Sequence, residues 1–353
     1  MAYTTIDNPE LYFQVKAFSG TGSSNAVTYD GSENMQADLL WFKNRQQALN
    51  WMMFDSVRGI TKYFYSNLTE AEGTSSSILT AIGSDGFTVG ANNNVNQSSN
   101  NIINYGWKAG TSFTNDASST GIGSIDSSGS VSDDSGFSIV SYTGTGSNGS
   151  VKHGLSTVPK IFITKRLNST SGWVVWHESI GTNILELDGT GASQSGSSYI
   201  NGTVPTSSVF SIGTSGDINA SGGTFIAYCF ADVKGYSKFG SYTGNGTQAN
   251  GTFVYTGMKP SFVMLKRTDS TGNWNIYDNK RGAATYNPVT YRLFANENNT
   301  DASSSVQSLT FLSNGFKLYS NNADQAASGG TYIYAAFAEA PFVNSNGVPG
   351  NAR

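Results

Sequence analysis

The chain has 353 residues but only one cysteine, two histidines, seven prolines and a 12% share of charged residues. A single cysteine excludes an internal disulfide framework, and Cys229 sits inside an apolar run, where it reads as a small buried hydrophobe. With His153 and His177 alone, a Ser-His-Asp arrangement has few candidates, and no nucleophile motif supports one. Acidic residues are sparse and none recurs in every copy of the repeat described below, so paired carboxylates for glycoside cleavage have no signature. Net charge is −4 and no basic cluster occurs, which argues against nucleic-acid binding by phosphate neutralisation. No apolar run approaches a membrane span, and the first residues lack the basic-then-apolar pattern of a signal peptide. The expectation is a protein that is not an enzyme, holds no metal or cofactor and does not insert into membranes.

What the chain has is repetition. Phe18-Ser19-Gly20-Thr21-Gly22 returns as Tyr142-Thr143-Gly144-Thr145-Gly146 and as Tyr242-Thr243-Gly244-Asn245-Gly246. About twenty residues later, each copy has an apolar run ending in a base: Leu39 to Lys43, Ile161 to Lys165 and Phe262 to Lys266. A tryptophan block follows: Trp51-Met52-Met53-Phe54-Asp55, Trp173-Val174-Val175-Trp176-His177 and Trp274-Asn275-Ile276-Tyr277-Asp278. A glycine four positions on closes each block, at Gly59, Gly181 and Gly282. Two further blocks align in the same order, and the last covers Ile102 to Trp107, Phe225 to Phe230 and Tyr332 to Phe337. A period near 100 residues is too long for a solenoid, so each copy is expected to fold as a domain.

Glycine (41 residues) and aromatics (12%) are plentiful. Alternating apolar runs punctuated by turn residues every 8 to 12 positions predict an all-β chain. The expectation is three tandem antiparallel β-sandwich domains, of jelly-roll or concanavalin-like type. Residues 1–14 form an N-terminal arm, either a first strand of or a strap on the first repeat, or an attachment arm to a partner. Repeat 1 covers 15–109. A Gly/Ser-rich linker, 110–136, reads as flexible or extended. Repeats 2 and 3, at 137–233 and 234–343, are joined tightly, so they are expected to pair while repeat 1 is tethered at a distance. Residues 344–353 are a tail.

Trp51, Trp173 and Trp274 are present in all three copies, which favours core anchors over platforms for sugar rings. Asp55 and Arg58, echoed by Asp278 and Arg281, place a carboxylate three residues before an arginine. A structural ion pair is the favoured reading, and the same four residues are the candidates for contacting a surface ligand. In repeat 2 the acid is replaced by His177. The Gly-x-Gly segments lack a third glycine and a βαβ setting, so they read as tight turns rather than a dinucleotide fingerprint. Lys43, Lys165 and Lys266 read as bases at exposed strand ends, with a phosphate or sialic-acid site as the alternative.

Several blocks resemble a known family. They are Met1 to Pro9, Phe54-Asp55-Ser56-Val57-Arg58-Gly59, Ser84 to Gly90, Phe239 to Gly246 and Phe311 to Leu318. Together they look like a family of virion proteins of tailed bacteriophages, chiefly marine phages of cyanobacteria and pelagic bacteria. The resemblance implies a structural, tail-fibre or tail-associated protein that is homotrimeric. The composition agrees: a chain made in a reducing cytoplasm with a polar, uncharged surface suits a virion part released by lysis. The expected function is an appendage contacting a host-surface glycan or outer-membrane receptor, with other virion proteins as partners. The alternatives are a purely structural role, as capsid decoration or tail adaptor, and a polysaccharide depolymerase.

Overall fold

The computed structural model describes residues 4–281 and 288–350; Gly282 and the first three residues of the chain lie outside them. The described chain is mostly β, and its strand ladders run antiparallel. Each sequence repeat contributes one large sheet and one small one. In repeat 1 the large sheet runs in the order Phe13–Ser19, Asn101–Trp107, Leu39–Asn44, Met52–Asp55, Lys62–Tyr65, Gly73–Thr74. Repeat 3 has the same order: Ser237–Thr243, Thr331–Pro341, Met258–Arg267, Asn275–Asp278, Tyr291–Phe294, Ala302–Ser303. Repeat 2 follows it too, from Phe137–Thr143 to Gln194–Ser195, with two extra strands on one edge. The small sheets pair Asn25–Val27, Gly149–Lys152 and Phe253–Tyr255 with Gly86–Val89, Val209–Ile212 and Gly315–Ser320.

The run Leu39-Leu40-Trp41-Phe42 is apolar at every position because its sheet is covered on both faces. Successive side chains of a strand point to opposite faces. Leu40 and Phe42 join Phe87 and Val89 of the small sheet in one cluster. Leu39 and Trp41 turn the other way, into a core shared by all three repeats. The same split divides Ile161 to Ile163 and Phe262 to Leu265.

The shared core is assembled from equivalent positions. Trp51, Trp173 and Trp274 lie in it, as do Phe64, Leu185 and Leu293, which occupy one register position in the three large sheets. At its centre Trp107, Phe230 and Phe337 meet, one ring from each repeat, with centroids 6.2, 5.6 and 5.6 Å apart. The packing leaves an apolar cavity of about 40 Å³ between Trp41, Ile163, Met264 and these rings. That is room for little more than one water, and apolar walls of this kind stay dry.

Two expectations about organisation need correction, and a third needs extension. Repeat 1 is not tethered at a distance: it supplies a third of the common core. Residues 110–136 are not a flexible linker. They form Thr111–Asn115 and Ser127–Ser132, which extend the large sheet of repeat 2 beside Phe137–Thr143. Between them, Asp116 caps the short helix Ala117–Thr120, accepting from the amides of Ser118 and Ser119 at 3.0 and 3.1 Å. Glycine here answers to crowding: a Cβ at Gly129 would lie 1.8 Å from Ile139 O. The N-terminal segment straps onto repeat 3 as well as repeat 1. Thr4 donates to Lys234 O at 2.6 Å, and Asp7 accepts from the amide of Ser345 at 2.7 Å. Its far end, Phe13, already belongs to the first strand of repeat 1.

Candidate functional site

The three repeats meet at three seams, and polar groups concentrate there. The tryptophan of each repeat is buried. Its backbone amide donates within its own repeat to an equivalent side chain: Trp51 to Asn67, Trp173 to Asp188 and Trp274 to Asn296, at 2.9, 2.8 and 2.8 Å. Its indole N–H crosses the seam. Trp51 Nε1 reaches Phe294 O of repeat 3 at 2.9 Å, Trp173 Nε1 reaches Tyr65 O of repeat 1 at 3.2 Å, and Trp274 Nε1 reaches Glu186 O of repeat 2 at 2.8 Å. Each repeat therefore grips the next in one direction, and such head-to-tail contacts close a ring after three copies.

Lys43, Lys165 and Lys266 are the second repeated feature, and their expected exposure is corrected: all three are fully buried. Strand ends that would face water in an isolated domain here face a neighbour. Lys165 Nζ donates to Thr69 O of repeat 1 at 2.9 Å and to Ser171 O. Lys266 Nζ donates to Thr190 O and Gly191 O of repeat 2, at 3.2 and 2.8 Å. Lys43 Nζ donates to Asn44 O and Gln47 O. Loss of hydration pulls each ammonium down to about 8, since burial disfavours the charged form.

Asp55, Arg58, Asp278 and Arg281 are likewise not on the surface. Both aspartates are fully buried, and the arginine side chains are 3% and 0% exposed. Asp55 accepts from Arg58 N at 2.9 Å, Arg58 Nε at 2.6 Å and, across the seam, Tyr228 Oη of repeat 2 at 2.7 Å. Arg58 lies over the Phe64 ring and also reaches Glu72 at 3.0 Å. The repeat 3 counterpart is fuller. Asp278 accepts from Arg281 Nε and, at 2.7 Å, from Tyr105 Oη of repeat 1; Arg281 Nη1 reaches Asp301 at 3.1 Å, and Asp301 pairs with Arg45 of repeat 1 at 2.7 Å. Burial first, and then the neighbouring Asp55 charge, hold the Tyr228 hydroxyl protonated well above its ordinary pKa. Such networks of charge-assisted bonds fix the relative placement of the groups they join.

The remaining seam lacks the network altogether. The positions of Asp55, Arg58 and Tyr105 are taken by His177, Ile180 and, on repeat 3, Ala335. His177 is buried, accepts from Ser179 N through Nδ1 at 3.1 Å, and so presents Nε2–H to Tyr334 O at 3.3 Å. Burial pushes its imidazolium down to about 4, leaving a neutral ring as the polar bridge at this position. Sequence reasoning missed Tyr105, Tyr228, Arg45 and Asp301. The signal was present in the aligned copies: tyrosine, acid and arginine are lost together, from two different repeats.

Among the described residues, no group of three or more His, Cys, Asp and Glu side chains is arranged to hold a metal ion, and no helix is long and apolar enough to cross a membrane. Cys229 is fully buried, its thiol pushed up to about 12 by burial. No curated protein and no solved structure matches the chain. One family model does, over residues 8–341, a span that takes in all three repeats and every seam described above. The chain belongs to that family, which is described as a domain of unknown function, DUF7483.

Proposed function

We propose that this protein is a non-enzymatic virion component of a tailed bacteriophage, a tail-fibre-type appendage that touches a glycan or outer-membrane receptor of the host. Each repeat is read as a β-sandwich of jelly-roll or concanavalin-like type. The observation that carries the proposal is the ring. Three repeats lock around one core, their conspicuous charged pairs are spent on the seams, and the outward face is left to turns rich in Ser, Thr, Asn and Gly. A rigid body presenting uncharged polar loops suits adaptable surface recognition. The resemblance to phage virion proteins adds to this reading, and other virion proteins are its proposed partners. The homotrimer that the resemblance implies is kept as part of it.

The test is binding of fluorescently labelled protein to host cells, together with its location in the particle by labelled-antibody electron microscopy. Saturable binding and a distal position support an appendage. No binding, with the protein enclosed by other virion proteins, favours the structural alternative of a decoration or adaptor. New reducing ends from host polysaccharide would favour a depolymerase. A solution mass of 37.4 kDa by light scattering at micromolar concentration would remove the trimer.

A further inference from the structure

The small sheet of repeat 3 differs from its two counterparts on one face. Val27, Val151 and Val254 pair with Phe87, Phe210 and Phe316 in the same register, so outward positions can be matched. Repeat 1 has Ala26, Thr28, Thr88 and Gly90 there; repeat 2 has Ser150, Lys152, Ser211 and Gly213. Repeat 3 has Phe253, Tyr255, Lys317 and Tyr319. Phe253 and Tyr255 are 47% and 55% exposed, and Lys317 Nζ lies 5.4 Å from the centre of the Tyr319 ring. Core packing explains none of these choices, because the inward residues Val254, Phe316 and Leu318 already fill that cluster.

A groove of about 660 Å³ opens beside Tyr319, with Gln248, Ser305, Ser308 and Thr310 in its walls. Its volume falls in the range of small-ligand sites. Ser308 is 1% exposed, and its Oγ has no hydrogen-bond partner among the described residues. A buried hydroxyl left unpaired is costly and calls for a partner. Lys317 makes no ion pair among the described residues, so the face carries an unneutralised positive charge.

We propose that this face and groove of repeat 3 bind an acidic oligosaccharide, one carrying carboxylate groups. This rests on the host-contact reading and names its site. The flat C–H faces of sugar rings fit the electron-rich faces of Tyr319 and Phe253. Gln248, Ser308 and Thr310 supply the donors and acceptors that hydroxyls need. Lys317 supplies the charge complement that sets acidic sugars above neutral ones.

The experiment is affinity electrophoresis of the full chain through gels containing alginate or polygalacturonate, with dextran as the neutral probe. The comparison variant carries Phe253→Ser, Lys317→Ser and Tyr319→Gly, the residues of repeat 2; unchanged thermal unfolding shows that it folds. Retardation by at least one uronate polymer, not by dextran, and weakened at least tenfold in the variant, is the expected result. Lys317→Arg keeps the retardation. Absence of retardation in both uronate gels, or equal retardation of wild type and variant, overturns the site. The same pair applied to host cells separates the two claims. Equal cell binding by both retains the host-contact reading and rejects this site, whereas no cell binding by wild type rejects the reading itself.

Discussion

Tyr228 of repeat 2 donates its hydroxyl to Asp55 of repeat 1 at 2.7 Å, and Tyr105 of repeat 1 makes the same bond to Asp278 of repeat 3. Tyr228→Phe leaves a buried carboxylate short of one donor. The expected loss is about 1–3 kcal/mol, measured by urea unfolding, and Tyr105→Phe is expected to behave alike. The seam without the network is tested by adding an acid rather than removing a donor. His177→Asp there buries a carboxylate beside Ile180 and Ala335, with no arginine or tyrosine to meet it, at a cost of about 3–5 kcal/mol. Adding Ile180→Arg and Ala335→Tyr should recover part of that loss. A silent His177→Asp would contradict the account of this seam.

The shared core predicts that the repeats do not unfold one by one. Calorimetry of the whole chain is expected to give one transition with matching calorimetric and van't Hoff enthalpies. Residues 110–233 expressed alone, with every strand of the repeat 2 sheet present, expose the face carrying Trp173, Tyr228 and Phe230, and are expected to bind a hydrophobic dye and aggregate. Two resolved transitions, or a monodisperse fragment, would count against the ring.

Buried bases make stability depend on pH from both sides of neutrality. His153 and His177 are held down to about 4 in the fold, chiefly by burial, whereas the unfolded chain protonates them near 6.5. Between those values the unfolded state binds more protons, so stability falls as pH drops from about 6.5 to 4, by about 3 kcal/mol for each histidine. The lysines act by the same sign at higher pH. With folded values near 8 and unfolded values near 10.4, stability rises from pH 8 towards 10. Urea midpoints at pH 4.5, 6.5, 8 and 9.5 check both arms. A flat profile from 8 to 9.5 would contradict the burial of Lys43, Lys165 and Lys266.

The Gly-x-Gly turns are tight because the helical turn before the closing strand sits against them. A Cβ at Gly20, Gly144 or Gly244 would lie 2.1, 2.4 or 2.4 Å from the carbonyl oxygens of Gln97, Ala220 and Ala327. Alanine at any of the three is expected to cost about 2–3 kcal/mol. Gly216→Ala, which meets nothing within 4 Å and has no positive φ, should cost less than about 0.5 kcal/mol. Equal losses at Gly20 and Gly216 would show that contact is not the cause.

The strands were legible in the sequence because period-two patterning is local, and the tryptophans stood out because three copies agreed. The run from Leu39 to Phe42 is apolar at every position, which suits a strand covered on both faces. It did not say that the second cover was the other two repeats, since nothing local distinguishes a sandwich interior from a seam. The segment 110–136 was misread because glycine and serine serve close backbone approach, as at Gly129, as readily as they serve flexibility. The lysines were misread because a strand end is exposed only when nothing docks on it. Tyr105 and Asp278 are 173 residues apart, a distance that no motif spans.

In a homotrimer one codon is read into all three interfaces, so no contact can change alone. Tandem copies on a single chain remove that constraint. His177, Ile180 and Ala335 differ from their counterparts while the other two interfaces keep tyrosine, acid and arginine. The body is therefore threefold in outline yet has one distinguishable side, and a partner lacking symmetry can dock on it in a single orientation.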